Sequence, residues 1–210
     1  DESLTLICNG EIYNYKELKN QLEKKGYSFK TESDVEVLLH LYADNKNKFL
    51  DNVNGQFAFA IFDKSNNELV MGRDRTGICP LFYTIKDNQL LFASEIKALF
   101  KLPFLNREFS PENIYDMISY WSVIPPNTVF KDIYQVCPGE IITWKNNDLK
   151  KKKYWQLSFS DEYSSLTFPD LKQIILDKME CSIKRHLNAD VPVGIYLSGG
   201  VDSSILAVLA

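Results

Sequence analysis

Seven consecutive residues, Ser198-Gly199-Gly200-Val201-Asp202-Ser203-Ser204, follow an apolar run that ends at Leu197. Adjacent glycines let backbone N–H groups approach an anion with no Cβ in the way. A helix starting just beyond them points its positive N-terminal end at the same place. Three serine hydroxyls add donors. Asp202 would repel bare phosphate, and a bridging magnesium ion resolves that conflict. The order of residues is that of neither common phosphate loop. Val201 stands where a Walker loop has its lysine, and there is no G-x-G-x-x-G. The bland alternative is a serine–glycine turn that holds no ligand.

A second segment, Asn9-Gly10-Glu11-Ile12-Tyr13-Asn14, follows the apolar run Leu4 to Cys8. As local structure, Asn-Gly in that place is a turn and weak evidence of anything more. It gains meaning beside the needs of an amide hydrolase, whose tetrahedral intermediate carries negative charge on the former carbonyl oxygen. A side-chain amide and a backbone N–H together make an oxyanion hole, and losing one such donor costs about 3 kcal/mol. Asn9 and Gly10 supply that pair of donors. The carboxylates of Glu11 and Asp34 are suited to hold a substrate ammonium group.

The elements that must position these groups follow from periodicity. Leu4 to Cys8 predicts a strand, and Tyr15, Leu18 and Leu22 predict a helix over residues 15–25 closed by Gly26. Ser33, with Glu36 three residues on, predicts an N-cap and capping box for a helix carrying Val37, Leu38, Leu41 and Tyr42. Phe57 to Asp63, Leu69 to Arg73, Leu81 to Ile85 and Gln89 to Ala93 read as strands, with the clearest hairpin at Asp87-Asn88. Short helices are expected over Ser94 to Phe100 and Pro111 to Tyr120, then a strand pair from Glu140 to Trp144 and Tyr154 to Leu157. This is an α+β layered arrangement. Ser160 to Thr167 reads as a linker, Phe168 to Leu187 as a long amphipathic helix, and Val193 to Leu197 as a buried strand opening a parallel α/β unit.

Composition narrows the classes. The 210 residues are 45% hydrophobic and 25% charged, ordinary for a chain that buries a core, and the net charge of −4 offers no footprint for nucleic acid. The basic run Lys150 to Lys153 reads as a solvated hairpin or linker. No apolar stretch is long enough to cross a bilayer, so no membrane partner is expected. Cys8, Cys79, Cys137 and Cys181 are scattered without a Cys-x-x-Cys pair, which argues against zinc and for reduced thiols in a cytoplasmic protein.

The glycine–serine loop resembles the pyrophosphate-binding loop of the ATP pyrophosphatases, which activate a carboxyl group as an acyl-adenylate. The Asn9 segment is similar to the glutaminase signature of class II glutamine amidotransferases of the N-terminal-nucleophile type. More matching runs lie between them: Ser33-Asp34-Val35-Glu36-Val37, Gly55-Gln56-Phe57-Ala58-Phe59-Ala60, Gly72-Arg73-Asp74-Arg75, Gly77 with Pro80-Leu81-Phe82-Tyr83, and Ala93-Ser94-Glu95-Ile96-Lys97-Ala98-Leu99. Their order is that of the glutamine-hydrolysing asparagine synthetase family, and they cover nearly the whole chain.

That resemblance implies an α+β then α/β chain. A layered αββα glutaminase domain of the N-terminal-nucleophile type would span residues 1–159, and the start of a parallel-sheet synthetase domain residues 160–210. The activity implied is release of ammonia from glutamine and its transfer through an apolar tunnel to β-aspartyl-AMP, giving asparagine, AMP and pyrophosphate. Asn9 and Gly10 match the oxyanion donors, and Asn9, Glu11 and Asp34 the glutamine-holding residues. Leu197, Ser198, Gly199, Gly200, Asp202 and Ser203 match the ATP and pyrophosphate site, with Asp202 beside magnesium. Aspartate or another carboxylate is the acceptor, and a homodimer is expected. Asp1 is not a methionine and Ala210 lies inside a predicted helix, so the chain is expected to be an internal piece. The family's nucleophilic cysteine and the arginine that grips the glutamine carboxylate are then expected before Asp1, and the adenine and acceptor contacts after Ala210.

Cys8 adjoins Asn9, but on a strand it reads as a small packed hydrophobe rather than a substitute nucleophile. His40 and His186 read as ordinary helix histidines, and Asp74 between Arg73 and Arg75 as a structural ion-pair cluster. Two alternatives stay open. One is a related enzyme amidating another carboxylate in surface polysaccharide or peptide biosynthesis, a branch that the stretch Phe104 to Val136, with Tyr120-Trp121-Ser122-Val123-Ile124-Pro125-Pro126, resembles. The other is a non-catalytic binding module on a decayed glutaminase.

Overall fold

Along the segment Gly55–Asp63, large and small side chains alternate. Phe57, Phe59 and Ile61 enter one core, and Ala58 and Ala60 enter another. A strand with bulky residues on one face and alanines on the other asks for helices against the first and a closely packed second sheet against the other. Both are present. The computed structural model describes residues 3–187, 189 and 191–210, which divide into two units, up to Gln156 and from Leu157 onward.

The first unit runs β1 (Leu4–Ile12), α1 (Tyr15–Lys24), α2 (Glu36–Asp44), β2 (Gly55–Asp63), β3 (Glu68–Arg73), β4 (Phe82–Lys86), β5 (Gln89–Ala93), α3 (Ile96–Leu99), α4 (Pro111–Tyr120), β6 (Tyr134–Gln135), β7 (Glu140–Lys145) and β8 (Asp148–Lys153). A five-stranded antiparallel sheet has the order β1-β2-β3-β7-β8, and a three-stranded one the order β5-β4-β6. Leu18 and Leu22 of α1 and Val37, Leu38 and Tyr42 of α2 cover one face of the large sheet. Met71, Leu81, Tyr83, Val136 and Ile142 fill the space between the sheets. Each such fully buried apolar side chain contributes about 1.5–3 kcal/mol. This is the expected helix-over-sheet-over-sheet layering, with α3 beside β5; α4 buries none of its residues.

Several expectations are corrected. Asn9-Gly10 is not a turn, because β1 continues through it to Ile12, paired residue for residue with β2 from Leu4↔Asp63 to Ile12↔Gly55. Ser33 does not cap α2; Val35 holds the N-cap position with no side-chain bond, and Glu36 is turned back onto the loop before it. The last strand is not Tyr154 to Leu157. Asn146 and Asn147 take φ 51° and 61°, a two-residue hairpin turn that pairs Lys145 with Asp148 and makes the lysine run an edge strand. Lysines on an edge strand discourage pairing with another chain. The hairpin expected at Asp87-Asn88 forms, with φ 50° and 58°.

In the second unit, α5 (Phe168–His186) starts on a capping box between Thr167 and Asp170, and α6 (Val201–Leu209) lies against it. Val193 to Leu197 is exposed and belongs to no strand, contrary to the expectation of a buried one. A parallel strand needs neighbours, and the described residues of this unit contain none to pair with it.

Candidate functional site

β1 is an edge strand, and alternation of its N–H groups decides what that edge offers. Tyr13 N–H donates to Asn54 O on the β2 side at 2.8 Å, whereas Ile12 N–H points outward and donates to Asp34 Oδ2 at 2.6 Å. The same parity turns the Gly10 N–H outward, two residues along the edge from Ile12. Gly10 has φ 137°, and a Cβ there would lie 2.0 Å from Gln56 O and 2.7 Å from Phe57 Cα, so only glycine lets the two strands approach this closely. Asn9 is exposed and lines a groove of about 180 Å³ with Ile7, Leu81, Phe92, Ala93 and Ser94. Glu11 is exposed two residues on, which puts it on the face of the strand that Asn9 occupies.

Asp34 is presented by a loop that Glu36 braces. The Glu36 carboxylate accepts the Lys30 N–H at 2.8 Å, the Thr31 N–H at 2.8 Å and the Thr31 hydroxyl at 2.5 Å, with His40 at 3.4 Å. Burial pushes the Glu36 pKa up, but these hydrogen bonds outweigh it and hold the group at about 2. His40 therefore has a partner, and it packs against the Tyr27 and Phe29 rings. Cys8 packs toward the helix-covered core, and burial, then Asp34 and Cys79, push its thiol up to about 12. Such a thiol is a packed hydrophobe and a poor nucleophile.

Asp74 is not the centre of an ion-pair cluster. It is fully buried, and its carboxylate accepts backbone N–H groups from Phe57, Thr76, Gly77, Ile78 and Cys79. The Arg73 guanidinium donates to the carbonyls of Cys79, Val136 and Gly77. Both charges are met by the backbone, which is why the sequence pattern Arg-Asp-Arg misled.

In the second unit, Gly199 has φ 81°, and Gly200 is the N-cap of α6 without a side-chain cap bond. Ser204 N–H makes the first helical bond, to Gly200 O at 3.0 Å, so the N–H groups of Val201, Asp202 and Ser203 have no acceptor within the helix. Ser198 and Ser203 hydroxyls lie 3.0 Å apart, and the Ser203 hydroxyl also donates to Gly200 O at 3.1 Å. The loop is exposed, as is Leu197 before it. Asp202 is a lone carboxylate in the first turn, and the described residues hold no cluster of three or more metal-ligating side chains. One carboxylate suits a magnesium ion carried by phosphate oxygens and water, not an all-protein cage.

Comparison with known proteins agrees with both halves. A family model described as a glutamine amidotransferase domain matches residues 1–155. The chain belongs to the glutamine amidotransferase domain family. A second family model, asparagine synthase, matches residues 175–210. Among curated relatives, asparagine synthetase [glutamine-hydrolyzing] 3 of Bacillus subtilis is 34% identical over 100% of this chain and 34% of its own length. Asparagine synthetase [glutamine-hydrolyzing] 1 of the same organism is 38% identical over 100% of this chain and 33% of its own length. A protein named amidase chry2, of Gibberella zeae, is 33% identical over 96% of this chain and 30% of its own length. The chain thus spans about a third of the length of the curated relatives it matches. The solved glutamine phosphoribosylpyrophosphate amidotransferase of B. subtilis shares the fold, with TM-score 0.53, 22% identity, and coverage of 97% of this chain and 43% of that one.

Within the amidotransferase domain, Asn9, Gly10, Glu11 and Asp34 meet along one sheet edge. Leu197, Ser198, Gly199, Gly200, Asp202 and Ser203 form a continuous loop in the other unit. Sequence reasoning gave no role to Ser94, which lines the same groove as Asn9, and read Asp74 as part of an ion-pair cluster. The run from Ala93 stood out only as a matching segment; that Ala93 and Ser94 share a groove with Ile7 and Asn9 is a tertiary feature.

Proposed function

We propose that the protein carrying this chain hydrolyses glutamine to glutamate and ammonia and transfers the ammonia to β-aspartyl-AMP, made from aspartate and ATP, giving asparagine, AMP and pyrophosphate. The observation that carries this reading is the presence, in one chain, of an amidotransferase-domain match followed by an asparagine synthase match. The geometry supports it. The outward N–H of Gly10 and the side-chain amide of Asn9 are the donors for the oxyanion, worth about 3 kcal/mol each. Glu11 and the Asp34 oxygen not taken up by Ile12 are the carboxylates for the glutamine ammonium group. The Cys8 thiol, at about 12, stays protonated and takes no part.

At the second site the N–H groups of Val201, Asp202 and Ser203 and the hydroxyls of Ser198 and Ser203 receive the phosphates of ATP, and Asp202 holds the accompanying magnesium. ATP supplies the adenylate that makes the acceptor carboxyl reactive. Ammonia must remain neutral to attack it, which favours a path shielded from water. A cytoplasmic location fits a chain whose described helices include none long and apolar enough to cross a membrane.

A second reading, amidation of a different carboxylate by the same two sites, keeps both family matches and changes only the acceptor. One experiment separates the two. The whole protein is supplied with glutamine, ATP and magnesium, with and without aspartate, and glutamate, AMP, pyrophosphate and asparagine are measured. Asparagine formed in step with AMP supports the first reading. Glutamate released while aspartate yields neither asparagine nor AMP excludes the first reading and leaves another acceptor carboxylate, whereas absence of glutamate sinks the two together.

A further inference from the structure

Three strands meet at one point in the large sheet. Gly10 on β1 is paired with Phe57 on β2, and Phe57 is gripped from its other side by Asp74, just past the end of β3. The Asp74 N–H donates to Phe57 O at 2.8 Å, and the Phe57 N–H donates to Asp74 Oδ2 at 3.3 Å. One residue thus holds both backbone groups of the residue opposite Gly10. Its other bonds anchor it. Oδ1 accepts the N–H groups of Thr76 at 3.1 Å, Gly77 at 2.7 Å and Ile78 at 3.1 Å, and the Thr76 hydroxyl at 3.2 Å, while Oδ2 also accepts the Cys79 N–H at 3.1 Å. Asp74 O accepts the Gly139 N–H at 2.9 Å, and the Tyr154 hydroxyl donates to Arg73 O at 2.9 Å, so the Arg73–Asp74 peptide is tied to the far end of the domain as well.

Gly10 cannot move independently of this arrangement. The space a Cβ would need on Gly10 is already filled by Gln56 O and Phe57 Cα, at 2.0 and 2.7 Å, so the backbone of β2 is the surface on which Gly10 rests. A shift of Phe57 is a shift of Gly10 and of its outward N–H.

We infer that Asp74 is a positioning residue for the amide hydrolysis, setting through Phe57 the place of the Gly10 N–H against the developing oxyanion. The inference rests on the glutaminase reading proposed above. An oxyanion donor acts only when it lies at hydrogen-bond distance from where charge develops, so its placement governs the chemical step and not the grip on the substrate ammonium group. Asp34 does not depend on Asp74 in this way, because it is held by Ile12 and its loop by Glu36.

Asp74→Asn in the whole protein tests it. Asparagine keeps one acceptor oxygen for the Thr76–Ile78 turn and sets an amide group against the Phe57 and Cys79 N–H groups, so the side-chain half of the grip on β2 is lost while the backbone bond to Phe57 O remains. The expected result is a fall in kcat for glutamine hydrolysis of about 10- to 100-fold, with KM for glutamine within about twofold of the parent. Product formation driven by added ammonia should be unchanged, since it bypasses the amidotransferase domain. An unchanged kcat, or a raised KM with unchanged kcat, overturns the inference. If the unsubstituted protein uses ammonia but never hydrolyses glutamine, the glutaminase reading itself fails and takes the inference with it. Should Asp74→Asn not fold, Tyr154→Phe releases the Arg73–Asp74 peptide more gently. A several-fold lower kcat at constant KM is then expected, and an unaltered kcat overturns the claim.

Discussion

Asp34 Oδ2 accepts the Ile12 N–H at 2.6 Å, so a carboxylate from the loop before α2 is fastened to the outer edge of β1, two residues from Gly10. The bond fixes where the second Asp34 oxygen is offered. It also separates two roles that one substitution series can pull apart.

Asp34→Asn keeps an oxygen for the Ile12 N–H but removes the charge meant for a substrate ammonium group. KM for glutamine should rise by about 10- to 100-fold, the worth of a hydrogen bond to a charged group, with little change in thermal stability. Asp34→Ala should add a stability loss of about 1 kcal/mol because the Ile12 N–H loses its acceptor. Equal KM values for the parent and the asparagine variant would remove Asp34 from substrate binding.

Gly10→Ala should fail structurally before it fails chemically. Its φ of 137° is outside the range side chains favour, and the added Cβ would lie 2.0 Å from Gln56 O, a backbone atom held in the β1–β2 ladder. Backbone strain alone costs about 1–3 kcal/mol, and the clash adds to it. Urea unfolding of the variant should show a loss of at least about 2 kcal/mol. A variant as stable as the parent would mean that β1 can lift away from β2 at this point.

The difference between Gly10 and Asp74 shows what the sequence could and could not reveal. Short apolar runs bounded by turn signals and amphipathic spacing in the early helices made the layers readable, because periodicity is a local property. Motif spacing also singled out Asn9, Glu11 and Asp34. But Asn9-Gly10 has the composition of a turn, and only the closeness of β2, whose Gln56 O would lie 2.0 Å from a Cβ on residue 10, explains a glycine in mid-strand. Asp74 was misread for a related reason: flanking arginines suggested ion pairs, whereas its partners are backbone N–H groups, which every residue type carries. The strand expected at Val193 to Leu197 has the right residues and no neighbour to pair with among those described.

Acid should loosen the loop that presents Asp34. Burial raises the Glu36 pKa, but bonds from Lys30, Thr31 and His40 lower it by more, for a net fall from 4.5 to about 2. A carboxylate depressed by folding contributes stability that is fully present above pH 4.5 and is lost as pH falls through about 2. Glu36→Gln should therefore flatten the stability–pH curve of this unit between those limits, read by denaturant unfolding at a series of pH values. A slope as steep in the variant as in the parent would assign acid lability to other groups.

Cys8→Ala should leave glutamine hydrolysis intact. With its thiol pushed up to about 12, only about one molecule in 10⁴ carries a thiolate at pH 8. The side chain also packs against the core under α1 and α2. Loss of all glutaminase activity in a folded Cys8→Ala protein would make Cys8 the nucleophile and overturn its assignment as packing.

The two sites should be separable by substitutions in the glycine–serine loop. Asp202→Asn removes the one carboxylate available to magnesium in the first turn of α6, while Ser203→Ala removes the hydroxyl that bonds both Ser198 and Gly200. Each loses contacts to a charged ligand, and pyrophosphate release should fall by about 10- to 100-fold or more. Asp202→Asn should in addition shift the magnesium requirement to higher concentration, whereas Ser203→Ala should not, because a hydroxyl placed on Gly200 O shapes the loop instead of holding the ion. Glutamine hydrolysis should persist in both variants, since Asn9, Gly10, Glu11 and Asp34 lie in the other unit. Identical magnesium titrations for the parent and Asp202→Asn would leave the ion to phosphate and water alone.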